Sequence, residues 1–174
     1  MVEKSIITLE RAEDLSPTVA LMFSMLERVR ERLLKRVENL SINELDYTPD
    51  ESNIETIGTL LLHIAAVEWS WIFEDIGGQE MDYEEWKHAF ALREKIPQLK
   101  GKKLAFYLKK LEEVREKVRE RLSIMDDSEL DHLIDVGEAA VSIEWILFHI
   151  IEHEVMHIGQ ISLLKRLQNA SRSH

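Results

Sequence analysis

The chain has 174 residues, 45% hydrophobic and 32% charged, with 6 glycines and 3 prolines, the balance of a helix-rich globular protein rather than of a disordered or loop-rich one. Its 33 acidic against 22 basic side chains leave a net charge of -11, and the basic clusters at 28–36 and 109–121 are interleaved with glutamates and read as solvated, ion-paired helix faces, so nucleic acid is not expected as a partner. Cysteine is absent, which excludes disulfides, thiolate metal sites and a cysteine nucleophile, and leaves any thiol chemistry to an external thiol.

Residues 1–15 form a polar lead with no apolar core of signal-peptide length, and no uncharged apolar run reaches membrane-span length, so a cytoplasmic protein away from the membrane is expected. Ser16-Pro17 offers an N-cap with proline at the first helical position, and Val19, Met22, Phe23, Leu26, Val29, Leu33, Val37 and Leu40 predict a first long helix to about Leu40. Residues 41–52 read as an exposed polar connection with at most a short helical turn. Ser52-Asn53-Ile54-Glu55 matches a capping box, opening a second helix that runs to the Gly77-Gly78 stop. That helix is apolar nearly all round and should be buried on more than one side, part of it in a dimer interface.

From 79 to 100 the pattern weakens, with Tyr83, Trp86, Phe90 and Leu92 suggesting a short helix laid across the others before Pro97 interrupts. Leu104, Tyr107, Leu108, Leu111, Val114, Val118 and Leu122 define a third long amphipathic helix ending near Asp126-Asp127. A connection over 128–141 contains Gly137, and Ser142 then caps a last helix built on Trp145, Ile146, Ile150, Ile161 and Leu164, with a polar tail after Gln168. Nothing alternates with period two for long and no repeat is visible. The expectation is one domain over 1–174, an all-α four-helix bundle with longer connections.

Three histidines on the last helix, His149, His153 and His157, follow at i, i+4 and i+8 and so lie along one stripe, while His63 stands in the apolar centre of the second helix. An i, i+4 pair places two nitrogens on one side of a metal, and a third from a neighbouring helix completes a facial site with open positions. Thr59, Ala66 and Ser70 fall on the His63 stripe, small residues that leave a cavity beside the ion, and Gly159 permits close helix approach. A lone buried histidine is usually a satisfied core residue, as His63 would be by itself. Burying several imidazoles on one stripe without a ligand costs roughly 1 to 3 kcal/mol for each unsatisfied group, which favours a metal held by His63, His153 and His157. His149 is the weakest member, placed beside the site or against Trp145, and His88, His132 and His174 are expected at the surface.

His153-Glu154-Val155-Met156-His157 is also a literal H-E-x-x-H, but no strand pattern precedes it and little chain follows to supply a third ligand, so Glu154 is expected to face solvent rather than act as a base. Glu154-x-x-His157, Glu129-x-x-His132 and Glu85-x-x-His88 each resemble half of a di-iron site, the last two in weak or connecting segments, which disfavours that reading.

His63 within Thr56-Ile57-Gly58 to Trp71, with His149-x3-His153-Glu154-x2-His157-x-Gly159-Gln160-Ile161, resembles the DinB/YfiT-like superfamily over most of the chain. The resemblance implies a four-helix bundle with a long crossover connection, frequent homodimers, and one divalent ion on three histidines, here His63, His153 and His157, with Gln160 beside them. Its members include thiol S-transferases using bacillithiol or mycothiol, a thiol-dependent isomerase and metal-dependent hydrolases. The leading expectation is therefore a metal-dependent enzyme passing a low-molecular-weight thiol to an electrophilic small molecule. Its rivals are a hydrolase activating water and a non-catalytic metal-binding dimer. Imidazoles accept zinc, nickel and iron alike, zinc or nickel being the first choices, and no catalytic acid or base is nominated.

Overall fold

The computed structural model describes residues 6–49 and 53–172. The first helix, α1 (Pro17–Val37), starts with proline at its first position as expected, but Ser16 gives it no side-chain cap. Asp127, more than a hundred residues further along the chain, takes that role: its carboxylate accepts from Thr18 N at 2.8 Å and Val19 N at 3.1 Å, and Ser16 Oγ donates to it at 2.8 Å. Partial desolvation opposes these bonds, yet they pull the Asp127 carboxyl down to about 2. After α1 comes α2 (Ile42–Leu45), closed by a capping box between Ser41 and Glu44. The connection is not wholly exposed as expected, because Leu45 is fully buried.

The second long helix, α3 (Ile57–Trp69), is capped by Thr56, whose Oγ1 accepts from Thr59 N at 3.0 Å. The cap expected at Ser52 lies outside the described residues. From Ser70 to Asp75 the helix widens into a π-helical turn before ending at Gly77 and Gly78. The crossover that follows holds α4 (Tyr83–Trp86), a 3-10 turn (Lys87–Phe90) and α5 (Ala91–Glu94), and leads to α6 (Leu104–Ser123). Between α6 and the last helix, where an irregular connection is expected, stands a small antiparallel hairpin: β1 (Leu133–Asp135) pairs with β2 (Ala140–Ser142) in the register Leu133↔Ser142, Ile134↔Val141 and Asp135↔Ala140. Gly137 turns it at φ +92°, a conformation open to glycine. Ser142 then caps α7 (Ile143–Ser171) by accepting from Trp145 N at 3.2 Å, and α7 outruns the polar tail expected after Gln168.

The four long helices form an all-α bundle in which α3 packs on both α6 and α7, and α1 packs on α7. No residue of α3 is exposed, and most of its apolar surface is buried inside the chain. Ile57–Asp75 is long and apolar enough to cross a membrane, but 61% of that window is buried inside the bundle. Gly58 marks the closest packing, since a Cβ there would stand 2.6 Å from Tyr107 Oη.

Four charged side chains meet in this interior, one from each long helix: Arg30, Glu68, Arg115 and Glu154. Arg30 donates to Glu154 Oε1 at 2.8 Å, Glu68 Oε2 at 2.7 Å and the Leu111 carbonyl at 2.9 Å. Arg115 donates to Glu68 Oε1 at 2.5 Å, Glu154 Oε2 at 3.2 Å and the rim residue Glu27 at 2.7 Å. Burial alone would raise the Glu68 carboxyl, but the two guanidiniums hold it below the usual carboxylate range. Arg30, Arg115 and Glu154 were all expected on solvated faces. Each instead occupies a position in an apolar stripe (Leu26-Arg30-Leu33, Leu111-Arg115-Val118, Ile150-Glu154-Ile158), where only pairing makes a buried charge tolerable.

Candidate metal centre

Next to this ion-paired interior, α3 and α7 bring three imidazoles together. His153 and His157, one turn apart on α7, have their Nε2 atoms 3.0 Å from each other, and His63 Nε2 on α3 lies 3.2 Å from His153 Nε2. All three ligand atoms lie within 4.8 Å of one another. Nitrogens sharing one tetrahedral ion at 2.0–2.1 Å are about 3.3 Å apart, so the spacing suits a common ion.

The outer ring nitrogens fix which way these rings face. His63 Nδ1 lies 3.1 Å from the Ala89 carbonyl, which only accepts, so Nδ1 carries the proton and Nε2 presents a lone pair. His157 Nδ1 donates to Gln160 Oε1 at 2.6 Å, with the same result. Two lone pairs therefore converge on His153 Nε2, which can donate one proton to one of them. At least one close N···N contact is left without a hydrogen, a repulsion that a cation removes. Burial, reinforced by the neighbouring imidazoles, lowers His63 to about 4 and His153 to about 3, and burial also lowers His157. All three rings are neutral at pH 7, the form that binds metal. His153 and His157 are buried whereas His63 is half-buried, so the cluster is not sealed.

The other candidates fall around the cluster in different ways. His149 does not join it: the ring stacks on Trp145 with centroids 4.9 Å apart and 5° between planes, meets Trp71 edge-on, and bonds Glu152 through Nδ1 at 3.1 Å. Gln160 is exposed and touches the cluster only through His157. Thr59 and Ala66 are fully buried, Thr59 Oγ1 lying 3.0 Å from Thr56 Oγ1, and Ser70 donates to Glu74. Among the described residues no other helix comes close to Gly159, since a Cβ there would meet nothing within 4 Å. His132 is exposed, His88 is partly covered with its Nδ1 3.1 Å from the Pro97 carbonyl, and His174 lies outside the described residues. Glu154 points into the core with both oxygens held by guanidiniums, so the H-E-x-x-H glutamate is not free to act as a base at the histidines. Sequence reasoning missed the Ala89 carbonyl, a backbone group with no sequence signature, and Phe90, edge-on to His63 with centroids 5.5 Å apart.

The family profile described as mycothiol-S-transferase matches residues 21–169, from the first turns of α1 almost to the end of α7. The chain belongs to that family. All three clustered histidines lie inside the matched span, in agreement with the DinB/YfiT-like resemblance of the sequence. An uncharacterized protein of Bacillus subtilis, YkkA, is 24% identical over 156 residues, covering 88% of this chain and 89% of that one. The crystal structure of a conserved protein from Enterococcus faecalis superposes with a TM-score of 0.69 at 19% identity, over 84% of this chain and 94% of the other, a likeness of fold.

Proposed function

We propose that this member of the mycothiol-S-transferase family is a metal-dependent enzyme that transfers a low-molecular-weight thiol to an electrophilic small molecule, with the ion held by His63, His153 and His157. The observation that carries the reading is the convergence of three neutral Nε2 atoms, two of them oriented by outer hydrogen bonds, in a cluster that is not sealed. A divalent ion there, zinc or nickel first among the candidates, supplies Lewis acidity that eases deprotonation of an external thiol. The chain's own part is to hold and orient: the Ala89 carbonyl and Gln160 fix ring tautomers, and the aromatic group of Trp71, Trp145 and His149 stands beside His153. The thiol is external because the chain has no cysteine. In the transfer, sulfur bonds to the electrophilic carbon, the leaving group departs with its electron pair, and the thiol proton goes to solvent.

Thiol transfer is preferred to hydrolysis because the carboxylate that an H-E-x-x-H hydrolase would use on water is committed to Arg30 and Arg115. The enzyme is proposed to be cytoplasmic and homodimeric. Metal-loaded protein assayed with mycothiol, bacillithiol and glutathione against a fluorogenic alkylating electrophile should exceed the metal-free protein with at least one thiol. No rate enhancement with any thiol, alongside turnover of an ester without thiol, would replace this reading with the hydrolase.

A further inference from the structure

Around the bundle α1 packs on α7, α7 on α3 and α3 on α6, but α1 and α6, which would close the ring, do not pack closely. Their seam opens into a cavity of about 450 Å³, floored by the buried side chains of Arg30 and Arg115 and walled by Phe23, Leu34, Leu108 and Leu111. A largely apolar cavity of this size between the helices of a bundle, with a few polar groups, is the usual form of a small-molecule site. It is separate from the histidine cluster, because neither α1 nor α6 carries one of those histidines.

The seam has an apolar end and an acidic end. Arg30 donates to the Leu111 carbonyl and Arg115 to Glu27, so the two helices run antiparallel here and Leu34 falls at the Leu108 end. Leu34 is 42% exposed, a large apolar side chain left to water beside the cavity. Along the lip of α6, Leu108, Glu112 and Glu116 follow at i, i+4 and i+8, a span of about 12 Å. Glu112 and Glu116 are exposed like charges one turn apart, a spacing that works against the helix.

The basic side chains that could neutralise this pair are committed elsewhere. Arg115 is held by Glu68, Glu154 and Glu27, Arg119 donates to Asp14 at 2.8 Å, and Lys109 pairs with Glu113 at 3.5 Å. Neither Glu112 nor Glu116 has an ion pair among the described residues. The floor does not call for an anion, since the guanidinium groups of Arg30 and Arg115 already face two buried carboxylates and Glu27. An entering anion would find no free positive charge and would meet Glu112 and Glu116, whereas a cation would relieve their repulsion.

We infer that the seam between α1 and α6 binds a small organic cation with an apolar body: a primary amine whose chain lies along Leu34, Leu108 and Leu111 and whose ammonium group meets Glu112 and Glu116. The inference stands apart from the metal reading, since its readout is binding without turnover.

Calorimetric titration of the full chain with octylamine, at fixed ionic strength, tests it. Octylamine should bind at least tenfold more tightly than octanoate, which has the same chain length and the opposite charge. It should also exceed butylamine at least tenfold, which has the same charge on half the chain. Glu112→Gln combined with Glu116→Gln should weaken octylamine at least tenfold without lowering Tm, because the exchange removes a repulsion. Leu34→Lys, at an exposed position, should abolish binding at unchanged Tm. Octylamine that does not bind, binds no better than octanoate, or ignores these substitutions would overturn the inference. So would a mass by sedimentation that halves in Leu34→Lys, because a second copy of the chain would then cover the seam.

Discussion

The rings of His63 and His157 are committed through Nδ1 to Ala89 and Gln160, which leaves Nε2 as the atom each offers the cluster. Gln160→Ala frees one of these rings, and metal affinity should fall about 10- to 100-fold with stoichiometry unchanged, measurable by competition with a chelator. Unaltered affinity would show that α7 packing alone orients His157. The depressed histidines also set a pH dependence. The unfolded chain takes up protons near 6.5, the folded metal-free protein only near 4 at His63 and 3 at His153. Between those limits the unfolded state binds more protons. Stability therefore falls as pH drops from about 6.5 toward 4, by up to about 1.4 kcal/mol per pH unit for each histidine. Denaturant titrations of metal-free protein across that range should show this decline, and it should shrink in a His63→Gln, His153→Gln variant; an identical decline in both would assign it to other groups.

At the scale of elements, the Arg30–Glu68–Arg115–Glu154 group ties all four long helices together, and removing one member leaves a buried charge unpaired. Glu154→Ala should cost about 3–5 kcal/mol of stability. A catalytic base would behave in the opposite way, losing activity at full stability, so one melting curve separates the two roles. Gly58→Ala, which drives a Cβ into Tyr107, should destabilise by about 1–3 kcal/mol. The apolar stripes of α1, α6 and α7, with Pro17 and Ser142 at two helix starts, made these elements legible in the sequence. The cap of α1 was not legible because it comes from Asp127, more than a hundred residues away, and β1 and β2 are too short, at three residues each, to show alternation. The buried charges did leave a trace, each standing where its stripe calls for an apolar side chain.

For the whole molecule, the histidine pair on α7 and the lone histidine on α3 pointed from the sequence to one cluster, and the fold packs α3 on α7 so that their Nε2 atoms meet. His149 shared the stripe but not the cluster, because stacking on Trp145 and an edge-on contact with Trp71 claim its ring. Trp71 stands in the π-helical turn after Trp69, which no periodicity announces. On the proposed reading, His63, His153 and His157 hold one ion jointly. Elemental analysis of untagged protein, as wild type, His63→Ala and His157→Ala, tests it most directly. Near one divalent ion per chain is expected in the wild type and loss of that ion in both variants, with the helical signal retained. A wild type that neither carries nor takes up zinc or nickel, or variants that keep the full complement, would contradict it.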